Sequence, residues 1–396
     1  MRIAMVSNWP RSGRPVSEYA YHLVQGLAEH SQIEEITVLA DTFPGATEQV
    51  KSGKVRVLRC WDYNSHLTLI KLVGKVRELK PDLCWFNTTL GSFGDSVANF
   101  PALLAPLALQ EMGIPVLVTL HNLVELTKMD EIGNKGKLTS KGAELATWFL
   151  TKVPVCVLLQ GYKDVLEKKY KAPRAFLVPI GTLGNPCEEV VIPDNETLIC
   201  FGIFGTHKKL PNLLDAMREL WEEAPSVRLR IVGGSNSHTP TYLDDLRRQY
   251  SGLPNVEFVG YVPEEEVPQQ FAMAKALIMP YTTIGGASGT IVQAAMYGKP
   301  ILVSDLPLFR EMGKNYTFHF FDYSSVANIK QSILDLVRRP IEELEKEGRR
   351  NWATATAADS TMEAACRAYL EVIEEITQRR SKRIPRRIRS SQTASK

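Results

Sequence analysis

The sequence predicts an α/β protein built as two doubly wound, Rossmann-like domains that face one another across a cleft. Three observations carry this expectation. Short apolar, β-branched runs alternate with longer helical patterns from one end to the other, the signature of parallel strands joined by crossover helices. That alternation stops in a turn-rich stretch, GTLGNPCEEVVIPDNE, from Gly181 to Glu196, and then starts again. The length, 396 residues, suits two domains at roughly 100 to 200 residues each.

Arg2 to Ser7 reads as the first strand, and Ser17 to His30 as an amphipathic helix with Tyr21, Val24, Leu27 and Ala28 on one side. Further strands are expected at Ile36 to Ala40, Val55 to Cys60, Leu83 to Asn87, Val116 to His121, Val155 to Leu159 and Ala175 to Val178. Helices are expected between them at His66 to Leu79, Ser96 to Glu111, Ser140 to Leu150 and Tyr162 to Tyr170. After the turn-rich stretch the strands are Leu198 to Gly202, Val227 to Val232, Val256 to Val259, Ala276 to Met279 and Pro300 to Val303. Their helices are Leu210 to Glu222, Pro240 to Gln249, Glu264 to Ala274 and Ser288 to Tyr297, then Ile329 to Val337 and one long helix from Ile341 to about Gln378. We expect a first domain over 1–185, a second over 186–359, a helix at about 360–378 crossing back onto the first domain, and a basic, disordered tail over 379–396.

Composition excludes several classes. At 44% hydrophobic and 23% charged residues, neither wholesale disorder nor a multi-span membrane protein fits. The six cysteines (Cys60, Cys84, Cys156, Cys187, Cys200, Cys366) form no CxxC pair and mostly sit in apolar runs, so they read as buried thiols of a reducing cytoplasm. The start, MRIAMVSNW, enters a strand directly and lacks the layout of a secretory leader. No apolar run reaches the roughly 18 residues that a bilayer span needs. The formal charge is +3, yet eight basic residues and no acid fall between Arg379 and Lys396, which leaves −5 on residues 1–378. That tail suits an anionic membrane surface; an acidic body without aromatics among the cations argues against nucleic acid.

Doubly wound sheets bind ligands beyond the C-terminal ends of their strands, so the loops there are the places to look. The loop FGIFGTHKK, Phe201 to Lys209, offers Gly202 and Gly205 for close backbone approach, a helix start, and Lys208 or Lys209 as a phosphate cation. A strand-to-helix turn with solvated lysines is the plain alternative. The run PYTTIGGASGTIVQAAMYGKP, from Pro280 to Pro300, places Gly285, Gly286, Ala287, Ser288, Gly289 and Thr290 before a helix, a pattern that makes an anion-binding nest. Its alternative is a flexible turn ahead of a tightly packed helix. In the first half, the strand ending in His121 and Asn122 points a histidine at the cleft, although a lone histidine is more often structural. Ser7, Asn8 and Trp9 end the first strand ahead of a loop with the single Gly13. No cluster has metal-ligand spacing, and neither GxSxG nor GxxxxGK[ST] occurs.

Taken in order, VTLHN, LVPIG, FGIFGTHKKLPNLLDA, LRIVGG, NVEFVGYVPEEEVPQQFAMAKALIMPY and GGASGTIVQAAMYGKPILVSD, with the opening strand and glycine loop, resemble the family 4 retaining glycosyltransferases of the GT-B architecture over residues 1–378. The resemblance implies a metal-independent hexosyltransferase without a cofactor, using a nucleoside-diphosphate sugar as donor and a glycan or lipid-linked acceptor held by the first domain. It implies that Lys208, six residues after Gly202, contacts the donor diphosphate together with Gly202, Gly205 and the stretch from Gly286 to Thr290. His121 would bond the transferred sugar and Gln293 would act as an acceptor to the donor. The chain departs from the family at Ile203, where an arginine is usual, at Gly285 and Gln293, where a glutamate pair is usual, and at Arg14 and Pro15, where Gly13 lacks its partner glycine. Work in glycan biosynthesis on the inner face of the plasma membrane follows as the expected setting. The missing side chains keep open a catalytically inactive GT-B partner of another transferase, and an epimerase on the same fold is a third class.

Overall fold

In a computed structural model of the chain, the structure describes all residues except 11, 13, 15, 47–48, 95–98, 128–136, 237–238 and 384–396. The first sheet contains β1 (Arg2–Val6), β2 (Glu35–Asp41), β3 (Gln49–Ser52), β4 (Val55–Trp61), β5 (Leu83–Thr88), β6 (Val116–Leu120), β7 (Val155–Val157) and β8 (Ala175–Leu177). Their order is β3-β4-β2-β1-β5-β6-β7-β8, parallel throughout except that β3 pairs antiparallel with β4. The second sheet, all parallel, contains β9 (Thr197–Phe201), β10 (Arg228–Val232), β11 (Val256–Gly260), β12 (Ala276–Met279), β13 (Ile301–Ser304) and β14 (Phe318–Phe321), in the order β11-β10-β9-β12-β13-β14. In each sheet the order reverses beside its first strand, the place where doubly wound folds take ligands.

Helices cover both faces of each sheet. Over the first lie α1 (Ser17–Glu29), α2 (Thr68–Leu79), α3 (Asn99–Leu103), α4 (Ala105–Glu111), α5 (Lys137–Leu150) and α6 (Gln160–Lys168). With the second go α7 (Leu210–Glu223), α8 (Tyr242–Gln249), α9 (Val267–Ala272), α10 (Gly289–Met296), α11 (Pro307–Met312), α12 (Val326–Val337) and α13 (Ile341–Thr356). The last helix, α14 (Met362–Arg383), packs against α1 of the first sheet. Its direction is readable from contacts: Glu363 meets His30 at 3.3 Å, Cys366 lies against the Leu23 carbonyl, and the Tyr369 hydroxyl is 3.2 Å from that of Tyr19. The helix therefore climbs α1 from its C-terminal end toward the cleft.

Besides β3, β14 and α11, which the sequence pattern does not show, two expected helices and two thiols differ from the sequence expectation. The helix expected over Ser96–Glu111 falls partly outside the described residues and is broken at Leu104 into α3 and α4, where Pro106 in the first turn of α4 cannot donate to a continuing ladder. The single helix expected from Ile341 to about Gln378 is two. Ala357 turns extended (ψ 146°), and Thr361 Oγ1 restarts the chain by accepting from the Ala364 amide at 3.1 Å. Of the thiols, Cys84, Cys156, Cys200 and Cys366 are buried, but Cys60 and Cys187 are half-buried.

Candidate active site

The loop after β9 is held on both sides. Its Phe204 amide donates to the Gly234 carbonyl at 2.8 Å, and the Lys209 amide to the Pro280 carbonyl at 2.7 Å. The Thr282 amide donates to the His207 carbonyl at 2.9 Å, so the β9–α7 loop and the segment after β12 are laced into one surface. Gly205 is buried there, its carbonyl accepting from the Lys208 amide at 2.9 Å.

Lys208 is not a surface cation, as a solvated turn would make it. It is 4% exposed. Its ammonium donates to the Phe201 carbonyl at 3.3 Å and lies 4.4 Å from the Phe204 ring and 4.9 Å from the Tyr281 ring. No carboxylate pairs with it among the described residues. Burial pushes it down to about 8, because one carbonyl and two ring faces replace little of the water a charged amine loses. The same burial, reinforced by the neighbouring ammonium, pushes His207 down to about 3.

Gly202 is the point where the two glycine segments meet. Its φ of +113° is a conformation that side chains rarely adopt, and a Cβ there would stand 3.1 Å from Lys208 Nζ and 3.2 Å from Thr290 Oγ1. Lys208 and the first turn of α10 thus converge on one small space. Ser288 caps α10, its Oγ accepting from the Ile291 amide at 3.4 Å, and Gly289 opens the helix against Leu183. Ala287 and Val292 turn to a cavity of about 1480 Å³ between the two halves. Gln293 is half-buried on α10. Ile203 is 44% exposed, and Gly285 is exposed.

Across the cleft, His121 follows β6. Its Nε2 lies 2.7 Å from Asn87 Oδ1, an arrangement in which the imidazole donates, and Asn87 in turn donates to Ser7 Oγ at 3.1 Å. The Tyr19 ring stands edge-on at 4.9 Å. Loss of water around the ring pushes His121 down to about 3, so the imidazole is neutral and Nδ1 is its remaining acceptor. A Cβ on Gly286 would stand 2.1 Å from the His121 carbonyl oxygen, which only a glycine permits. The histidine and the glycine run are therefore in contact.

Sequence reasoning missed Asn87, Tyr19, Phe204 and Tyr281, which hold His121 and Lys208 in place. Only Asn87 carries a signal, a polar residue at the end of a buried strand. In the loop after β1, Asn8 Nδ2 reaches the Ser92 carbonyl at 3.4 Å, and Arg14 pairs with the buried Asp41 at 3.1 Å; Gly13 and Pro15 lie outside the described residues. No group of three His, Cys, Asp or Glu among the described residues could hold a metal ion, and no helix there is long and apolar enough to cross a membrane.

Two facing Rossmann-like domains with this topology define the GT-B fold. The sucrose-phosphate synthase (tll1590) from Thermosynechococcus elongatus superposes with a TM-score of 0.77, covering 96% of this chain and 100% of its own at 16% identity. Residues 188–357, the second domain with the Lys208 loop and the α10 segment, match the family described as Glycosyl transferases group 1. The serotype-specific mannosyltransferase WbdA of Escherichia coli is 24% identical over 31% of this chain, a match that spans 15% of WbdA. The GDP-mannose:glycolipid 4-beta-D-mannosyltransferase of Xanthomonas campestris pv. campestris is 24% identical over 63% of this chain and 68% of that protein.

Proposed function

We propose that the chain is a retaining, metal-independent hexosyltransferase that moves a sugar from a nucleoside-diphosphate sugar to a glycan or lipid-linked acceptor held by the first domain. The observation that carries this reading is the convergence of Lys208, Thr290 and the Gly202 backbone on one space, with Gly286 of the same glycine run lying against the His121 carbonyl. A buried ammonium without a carboxylate partner favours an anion, and a departing diphosphate brings one where charge develops. The amides from Gly286 to Thr290 extend that cradle at the start of α10. His121, neutral and anchored by Asn87, accepts a hydrogen bond from a sugar hydroxyl through Nδ1, and Gln293 serves the donor through its amide oxygen.

The relatives' names suggest GDP-mannose as the first donor to try. The 4-beta product named for the Xanthomonas protein makes product stereochemistry a separate measurement from donor choice. The tail, Arg379 to Lys396, supports attachment to an anionic membrane surface, in keeping with a glycolipid acceptor at the cytoplasmic face and no nucleic-acid partner. An exposed Ile203 and an exposed Gly285, where the family places charged side chains, favour a second reading: a non-catalytic partner that keeps the fold.

A thermal-shift screen of GDP and UDP sugars tests ligand binding, since a ligand of the folded state raises the melting temperature by mass action. A shift with one nucleotide series and turnover of its sugar supports the transferase; a shift without turnover supports the partner. No shift with any member overturns both.

A further inference from the structure

Helix α6 of the first domain has no cap of its own. Its N-cap residue is Leu159, which has no polar side-chain atom, and no side chain at the helix start takes the amide of Gly161. That amide donates instead to Glu311 of the second domain, 3.2 Å from Oε1 and 3.1 Å from Oε2. The fit is tight, since a Cβ on Gly161 would stand 2.6 Å from Glu311 Oε2. Glu311 sits on α11 and has no ion-pair partner among the described residues, so its charge rests against the amide at the start of α6. A carboxylate at a helix N-terminus is favoured by both the free amides and the helix dipole.

We propose that Glu311 is a positioning residue that latches the two domains in the arrangement where His121 lies against Gly286. Domains within a chain move relative to one another unless something fastens them, and this contact exists only when they are together. Its place suits the task. His22 of α1 meets Glu264 at 2.8 Å on the β1 side, and Thr127 reaches the Ile284 carbonyl at 3.3 Å after β6. Gly161 follows β7, so the latch braces the flank of His121 opposite to that of His22, strands β1 and β7 lying about 14 Å apart at three strand spacings. Opening the cleft strips α6 of its cap and returns the carboxylate to water. The inference rests on the transferase reading for its kinetic consequence, but not for its mechanical one.

The test compares the parent with Glu311→Ala, Glu311→Gln, Gly161→Ala and the Gly161→Ala/Glu311→Ala double variant by small-angle X-ray scattering without ligand, melting temperature, and kcat and KM on the nucleotide sugar that the parent turns over. We expect a larger radius of gyration and a kcat/KM about tenfold lower for Glu311→Ala, as losing a charge-assisted hydrogen bond implies, with the melting temperature nearly unchanged. Glutamine, which can accept through one oxygen, falls between. Gly161→Ala reproduces the loss from the other domain, and the double variant is no worse than either single one. Scattering and kinetics for Glu311→Ala equal to the parent's overturn the latch, as do losses in the two single variants that simply add. If Glu311→Ala fails to fold, the glutamine and Gly161→Ala variants decide by the same measures. A parent that turns over no nucleotide sugar overturns the transferase reading, and scattering then judges the latch by itself.

Discussion

Lys208 holds a charge in a place where water does not balance it, and that sets its behaviour with pH. Its folded value, about 8, lies below the ordinary 10.5, so it loses its proton first in the folded state. A diphosphate needs the protonated form, and nucleoside-diphosphate affinity is expected to fall as pH rises through about 8. The Lys208→Met variant, which keeps the stem and removes the charge, should bind about tenfold or more weakly at pH 7, the worth of a charge-assisted bond of about 1.5 to 3 kcal/mol, and show no such pH dependence. Titration calorimetry at pH 7 and pH 9 checks both; an equal fall with pH in the two proteins removes Lys208 from the anion site. His121 runs the other way. Its folded value, about 3, lies below 6.5, so the unfolded chain binds the extra proton between those values and stability drops as pH falls through that window, with His207 adding to it. His121→Ala also leaves Asn87 Oδ1 without its donor, at a cost of about 1 to 3 kcal/mol. We expect that variant to melt lower yet bind nucleoside diphosphate as before while losing transfer. Normal specific activity in the folded fraction would assign His121 a structural role alone.

At the scale of elements, most strands and helices were legible because apolar period and turn residues agree along nearly the whole chain. The exceptions have physical reasons. The strand β3, QVKS, is exposed at every residue, and an antiparallel edge strand of that kind carries no apolar pattern. In β14, FHFF, one histidine among aromatics gives neither clean alternation nor a helical period. Helix α11 is six residues, shorter than any window that resolves period 3.6, and with it went Glu311. The break between α13 and α14 hangs on one capping threonine, Thr361, inside an otherwise continuous helical pattern. The same kind of cap is legible at Ser288, ahead of a glycine and a short helix. Ser288→Ala is expected to cost about 0.5 to 2 kcal/mol of stability and to weaken nucleoside-diphosphate binding with it, because the amides of α10 lose their fixed start. Thermal melts with and without ligand check this: a lower melting temperature with an unchanged ligand-induced shift places the anion elsewhere.

At the scale of the molecule, the two-sheet plan was legible from the repeated strand–helix alternation, and the contact of its two halves was not. A sequence shows that Gly286 and His121 are glycine and histidine; that one leaves room for the carbonyl of the other depends on how two domains dock. Lys208 likewise read as a cation at a loop, while its burial comes from Phe204 and Tyr281, which are 77 residues apart in the chain. The climb of α14 along α1 directs the chain toward the cleft side as it runs into the basic segment. The eight cations there should bind anionic vesicles, about 1 kcal/mol for each one near the surface. In sedimentation with vesicles of graded anionic lipid, the full chain is expected to pellet in a salt-sensitive way and a chain ending at Gln378 to stay in solution; equal pelleting of both rules the tail out as the anchor.

The central claim, that Lys208, Thr290 and the Gly202 backbone receive the diphosphate of a sugar donor, meets its most direct test in one assay. Nucleoside-diphosphate release is followed from a panel of GDP and UDP sugars, for the parent and for Lys208→Met matched in folded concentration. The account predicts slow release by the parent from members of one nucleotide series and a loss of about tenfold or more on substitution. Release at equal rates by both proteins, or from no donor at all by the parent, would contradict it.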